Sequence, residues 1–333
     1  MTGNSMAMRV IAAPDKFRGT ATAAEVATAV ARAVHAAGGR CAEVPLADGG
    51  EGTLEALGGP NRSTVVTGPL GDPVDAEWRL THGVAVVEMA RASGLELVGG
   101  AAGNDPIAAA THGTGELIAS ALDAGARRVI VGVGGSATTD GGLGALRALY
   151  PLQRLRAVEL VVACDVTTRF LAAADVFAPQ KGASPAQVEL LRRRLDRLAQ
   201  VYQEEYGLDV TDLVGSGAAG GLAGGLAAVG ASLEPGFDLI AEELDLAEQM
   251  EGAALVVTGE GFLDEQSFDG KVVGGVAELA AELSVPLLVV AGEVFDGVEG
   301  RVDAVSLVER FGRDRALADT LTCITEAVSD HLA

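Results

Sequence analysis

Four times along this chain a short apolar run breaks off into a loop carrying glycine and aspartate, and this recurrence constrains the fold more than any other feature. Asp15 follows the run at 8–13, and Asp48 follows the one at 41–46. Asp165 follows Val161-Val162-Ala163-Cys164, and Asp264 follows the run at 256–261. Between the first two lies an alanine-rich helical pattern from Ala23 to Ala37 that closes at Gly38-Gly39. Thr22 with Glu25 three residues on reads as its capping box. Strand, loop, helix, strand is the opening of a parallel βαβ unit. In such sheets the loops at the carboxyl ends of the strands form the ligand crevice.

The tail repeats the head. Strands are expected at 254–258, 285–291 and 304–308, with helices at 272–283 and 316–329. Two strands from the head and three from the tail make a five-stranded doubly wound, flavodoxin-like α/β domain from residues 1–58 and 236–333. The middle differs. Runs at 63–67, 74–80 and 84–89, with the turn Gly68-Pro69-Leu70-Gly71-Asp72-Pro73 between the first two, read as an antiparallel meander. Buried strands follow at 129–133 and 160–163, with a helix at 184–205. Residues 59–235 are therefore expected to form an inserted second α/β domain. A length of 333 residues, 45 glycines and only 4% aromatics suit two α/β cores with many tight turns.

The net charge of −22 argues against nucleic acid or an anionic membrane surface as partner. An anionic substrate would then need a local cationic pocket, and lysine usage points to one. Of 24 basic residues only Lys16, Lys181 and Lys271 are lysines, each in a short segment marked by glycine or proline. An ammonium is a compact point charge suited to phosphate or carboxylate in a tight site. Cys41, Cys164 and Cys323 lie far apart and fit buried thiols of a reducing compartment. The four histidines show no zinc-type spacing. With no signal-type or membrane-length apolar run, a soluble cytoplasmic protein is expected.

The segment after the run at 129–131 concentrates chemistry: Gly132-Val133-Gly134-Gly135-Ser136-Ala137-Thr138-Thr139-Asp140-Gly141-Gly142. Glycines let backbone N–H groups close on phosphate oxygens, and the hydroxyls add donors. Asp140 fits equally as a cap for the following helix. Gly215-Ser216-Gly217-Ala218-Ala219-Gly220 spells a dinucleotide fingerprint, but the polar stretch before it is a poor buried strand. Lys271 follows Gly270 yet precedes Val272, so it does not belong to a GxxxxGK[ST] phosphate loop.

Taken together these segments resemble the glycerate kinase family of the bacterial glycerate 2-kinase type. The stretches that carry the likeness are 13–20, 45–53, 87–98, 111–118, 132–149, 163–166 with 176–184, 215–239 and 256–271, in family order. The resemblance implies ATP-dependent phosphorylation of D-glycerate, on the 2-hydroxyl in the better-known members, with Mg²⁺. On that reading Gly134, Gly135, Ser136 and Thr138 hold phosphate, and Lys181 reaches the nucleotide. Lys16 and Arg18 grip the glycerate carboxylate or the transferring phosphoryl group, with Asp15, Glu51, Asp264 and Lys271 on the substrate. Asp48 and Asp165 are the candidates for catalytic base or Mg²⁺ ligand. This chain departs from the family pattern in two shortened segments, at 150–159 and after Asp165, and in reading Lys16 then Arg18 in the first loop. A kinase for another small hydroxy acid and a non-catalytic ligand-binding relative are the alternatives. A nicotinamide oxidoreductase rests only on the 215–220 spelling. A homodimer through the inserted domain is compatible with the sequence but not required by it.

Overall fold

The structure is a computed structural model that describes residues 8–333 apart from Arg18, Asp269, Asp296 and Glu299. Arg18, a candidate substrate contact, thus lies outside the described residues. In chain order the strands are β1 (Arg9–Ala12), β2 (Arg40–Glu43), β3 (Arg62–Thr67), β4 (Pro73–Thr81), β5 (Val84–Glu88) and β6 (Arg128–Gly132). They continue as β7 (Glu159–Ala163), β8 (Ser232–Glu234), β9 (Leu255–Leu263), β10 (Leu287–Val294) and β11 (Ala304–Ser306). The chain divides into two compact α/β units, one running up to Asp48 and resuming at Phe237, the other spanning Gly49–Gly236.

In the first unit the sheet order is β11-β10-β9-β1-β2, and every neighbouring pair is parallel. Val10, Ile11, Val256 and Val289 are buried, so alternate residues on both faces of the central strands are apolar. The helix Ala23–Ala36 begins as its sequence predicts. Glu25 N–H donates to Thr22 Oγ1 at 3.2 Å, and the Glu25 carboxylate accepts from Thr22 N–H at 2.9 Å. Its Val26, Val30 and Val34 pack with Cys323, Ile324 and Val328 of the helix Thr320–Leu332. The C-terminal region corrects two expectations. The last strand stops at Ser306, whose hydroxyl caps the helix Leu307–Phe311, so the expected strand at 304–308 is shorter. The single helix expected at 316–329 is two, Arg313–Ala318 and Thr320–Leu332, interrupted where Asp319 leaves helical geometry at φ −138°.

In the second unit β3, β4 and β5 pair antiparallel in chain order, and β5, β6, β7 and β8 continue the sheet in parallel. The short, polar β8 carries no apolar run and so leaves no strand signal in the sequence. The helix Pro185–Tyr206 has its own capping box, Ser184 with Gln187, and ends at Gly207 in the left-handed region. It buries Leu191, Leu195, Ala199 and Tyr202. Phe170, fully buried, sits where this helix meets the segment Ala218–Ala228, in which Ala219, Gly220 and Gly221 break the helix with left-handed backbone. A Cβ at Gly221 or Gly224 would stand 2.8 or 2.5 Å from its ring, so glycine there is a packing requirement. The fingerprint-like 215–220 segment is therefore a turn entering a closely packed helix. Among the described residues no helix is long and apolar enough to cross a membrane.

Replacing the Phe170 ring leaves a cavity that the glycine-lined walls cannot collapse to fill. Phe170→Ala should cost about 3–5 kcal/mol in a urea or guanidinium unfolding curve.

Candidate functional site

In the first unit, the segment after β1 runs on beside β9 past the end of its pairing. Ala13 N–H donates to Val257 O at 2.8 Å and Asp15 N–H to Gly259 O at 2.9 Å, while Thr258 Oγ1 donates to Ala13 O at 2.7 Å. Leu46 N–H donates to Pro14 O at 2.9 Å and brings in the segment after β2, which carries Asp48. Lys16 Nζ then stands 3.6 Å from Asp15 Oδ1 and 4.0 Å from Asp48 Oδ1. The Lys16 backbone N–H also donates to Asp15 Oδ1 at 2.7 Å. The structure thus brings Asp15, Lys16 and Asp48 together at one edge of the sheet.

Burial pushes the Asp15 carboxyl up to about 6, with Lys16 opposing the rise and Asp48 adding to it. A fourth group, missed by sequence reasoning, belongs to this edge. Glu260 lies in β9, and its Oε1 is buried without a hydrogen-bond partner. Burial pushes its carboxyl up to about 7; a hydrogen bond from Ser267 and the charge of Lys271 oppose this, while Asp15 and Asp264 add to it. The available signal was an acid between Gly259 and Gly261 at the close of the apolar run at 256–261. Lys271 therefore reaches the neighbourhood of Glu260 electrostatically. Asp264 is occupied locally: its Oδ1 accepts N–H bonds from Gln266 at 2.9 Å and Ser267 at 3.2 Å, opening the turn Glu265–Phe268.

In the second unit the glycine loop leaves β6 against the segment 49–51. Val133 N–H donates to Gly49 O at 3.1 Å, and a Cβ on Gly134 would lie 2.7 Å from Gly50 Cα. Only glycine allows that approach, and it sets the Glu51 backbone beside the loop. Glu88, another residue sequence reasoning missed, fixes the same segment from below. Its Oε1 accepts from the N–H groups of Gly52 and Leu54, both at 2.9 Å, while Oε2 faces Arg91 Nε at 3.3 Å. Gly135 O accepts from Leu95 N–H at 2.8 Å, and Ala137 N–H donates to Ser93 O at 3.0 Å.

Lys181 lies behind this loop. It is 3% exposed, and its Nζ donates to Ser136 Oγ at 2.7 Å and to Thr138 O at 2.6 Å. Burial pushes the ammonium down to about 7, and the charge of Asp140 partly restores it. The geometry makes Lys181 a brace for the loop. Asn104 Nδ2 adds a second brace, donating to Ala137 O at 3.0 Å and Lys181 O at 2.9 Å. Thr138 is fully buried, and its hydroxyl has no hydrogen-bond partner. Asp140 is a cap: it accepts from Gly142 N–H, Gly144 N–H and both donors of Thr111. Asp165 is exposed just beyond β7, and Glu51 is exposed as well.

Residues 10–150 and 151–330 match the model of the glycerate kinase family. The chain belongs to the glycerate kinase family. It is 39% identical to the glycerate 2-kinase of Escherichia coli strain K12, over 87% of each chain. It is 38% identical to the glycerate kinase of Halalkalibacterium halodurans, over 90% of this chain and 91% of that one. A solved structure from Salmonella typhimurium LT2, a provisionally named glycerate kinase 2, is similar over 98% of this chain and 97% of that one. Its TM-score is 0.84 and its identity 36%. As a glycerate kinase family member the protein is a phosphotransferase with an alcohol group as acceptor.

Both raised carboxyls couple stability to pH. Their folded values lie above the unfolded ones, so the stability they contribute is fullest below about pH 4. It is lost as pH rises through about 6 for Asp15 and about 7 for Glu260. Asp15→Asn should therefore flatten the decline in melting temperature between pH 4 and 7 relative to wild type at constant salt.

Proposed function

We propose that this glycerate kinase family member transfers the γ-phosphoryl group of ATP to the 2-hydroxyl of D-glycerate. The observation that carries the reading is Lys16, held between two carboxylates at the sheet edge of a chain with net charge −22. A cation so placed is pre-oriented for a small anionic acceptor, because Asp15 and Asp48 fix the ammonium before substrate arrives. The names of the relatives supply the acceptor and, in the Escherichia coli protein, the position phosphorylated. The strand order β2-β1-β9-β10-β11 supports the flavodoxin-like reading of the first unit.

The roles follow from what each group can still offer. Lys16, with Arg18 and Lys271, binds the acceptor carboxylate or the transferring phosphoryl group. Backbone N–H groups around Gly134, Gly135 and Ser136 receive the nucleotide phosphates, on a loop stiffened from behind by Lys181 and Asn104. Glu51 sits beside that loop and orients substrate.

Mg²⁺ in kinases is held by one or two carboxylates and the substrate phosphates rather than by a protein cage. The described residues fit that pattern. Asp48 offers carboxylate oxygens close to Lys16 at the proposed acceptor site. Asp48, with Asp165 as the second candidate, would hold the ion, which neutralises phosphate charge when bound.

A kinase for a different small hydroxy acid is the second reading, favoured by the short connection from Asp165 to the single turn Phe170–Ala172. ATP consumption with Mg²⁺ and a panel of hydroxy acids, with the product identified by NMR, separates the two. The expected result is 2-phosphoglycerate, and a higher rate with another acid would favour the second reading. Lys16→Ala should raise KM for D-glycerate by about 10–100-fold, the worth of a charge-assisted contact, with a smaller change in KM for ATP.

A further inference from the structure

The first sheet has a single topological switch point, and Glu260 stands at it. β1 and β9 are hydrogen-bonded neighbours. The chain leaving β1 passes through the helix Ala23–Ala36 to β2 on one side, whereas the chain leaving β9 passes through the helix Val272–Glu282 to β10 on the other. The two connections diverge there and leave the crevice in which open α/β sheets bind ligands. Four carboxylates belong to this neighbourhood, and in three of them one oxygen, Oδ1, faces a donor or the Lys16 ammonium. Asp15 accepts a backbone N–H and faces Lys16, Asp48 faces the same ammonium, and Asp264 accepts two backbone N–H groups. Donors to a carboxylate stabilise its charged form and lower its basicity, and at Asp15 they partly offset the rise that burial causes. Glu260 differs: its Oε1 is buried with no hydrogen-bond partner, while the residue as a whole keeps contact with solvent.

We propose that Glu260 is the general base of the transfer, accepting the proton of the acceptor hydroxyl. This rests on the kinase reading above and reassigns the base from Asp48 and Asp165 to a residue that neither composition nor loop pattern marks. In the step, the acceptor oxygen forms its bond to the γ-phosphorus as its proton passes to the Glu260 carboxylate. The bond from that phosphorus to the β–γ bridging oxygen breaks, and its electron pair leaves with ADP. The resulting carboxylic acid returns its proton to water. A carboxyl raised to about 7 is matched to this task, because proton affinity near the working pH favours general-base catalysis. The groups that set it are Asp15 and Asp264, which raise it, and Lys271 and Ser267, which lower it. Across from Glu260 on β10 stands uncharged Ala291.

The test is the pH dependence of kcat/KM between about pH 5.5 and 8.5 for the wild type, Glu260→Gln and Glu260→Asp. The acceptor is whichever hydroxy acid the wild type phosphorylates. For the wild type, kcat/KM should fall about tenfold per pH unit below about 7, as the base becomes protonated. Glu260→Gln should lower kcat by about 100-fold or more, with KM within about threefold, and its residual rate should be flat over the same range. Glu260→Asp should restore the acidic limb at an intermediate rate. A flat wild-type profile down to pH 6 would overturn the assignment even if the variants did not fold, as would a Glu260→Gln kcat within about threefold of wild type. Turnover of another acid but not D-glycerate would sink the acceptor reading while leaving Glu260 to be judged on that acid. No turnover with any acid would sink both.

Discussion

Desolvation of charge governs where this protein can place its chemistry. Val10, Ile11 and Ala12 of β1, Val256 and Val257 of β9, and Val289 and Val290 of β10 are all buried. A strand covered on both faces admits no unpaired ion along its length. Charge therefore collects where the strands stop pairing, and there burial is partial. Asp15 is 9% exposed, with the ammonium of Lys16 close by. Glu260 is closer to the strand interior and less well compensated, so its proton is held more tightly than that of an ordinary glutamic acid. Both the acceptor grip and the proton acceptor assigned here arise from that gradient between sheet interior and sheet edge.

The second unit meets the same constraint differently. A glycine-rich loop is entropically costly to hold in one shape. Here the loop after β6 is fixed from three sides: by the segment 49–51, by Ser93 and Leu95, and by Lys181 from behind. The Lys181 ammonium has neutral acceptors, a hydroxyl and a carbonyl, and its nearest charge is the capping carboxylate of Asp140. A buried cation with dipolar partners is poorly compensated.

Local signals were legible in the sequence and tertiary ones were not. The capping box of Thr22 involves residues three apart, and its helix starts where that spelling puts it. Buried strands announced themselves as apolar runs; β8, three residues of a polar edge, could not. The grouping of Asp15, Lys16 and Asp48 was readable because all three follow strand ends. The same rule does not show that the Asp264 carboxylate closes its own turn, which depends on backbone geometry rather than residue type. It also hid Glu260 and Glu88, acids at the ends of apolar runs that read as strand rather than site. Lys181 was visible as a rare lysine, but its inward direction depends on Ser136 and Thr138, more than forty residues away in sequence.

The scarcity of lysine acquires a physical reading from these placements. Arginine serves where a long fork can bind from the surface, as with Arg192 and Arg193 on Glu189 or Arg315 on Glu326, pairs that are largely exposed and individually weak. Lys16 is largely buried between two carboxylates, and Lys181 is enclosed with two oxygens at 2.7 and 2.6 Å. A planar guanidinium presents five donors in a fixed fork, so in either place several would be left without acceptors. Three tetrahedral donors on one nitrogen fit where a fork does not. At Lys16 and Lys181, therefore, the shape of the ammonium and not its charge alone decides which cation fits.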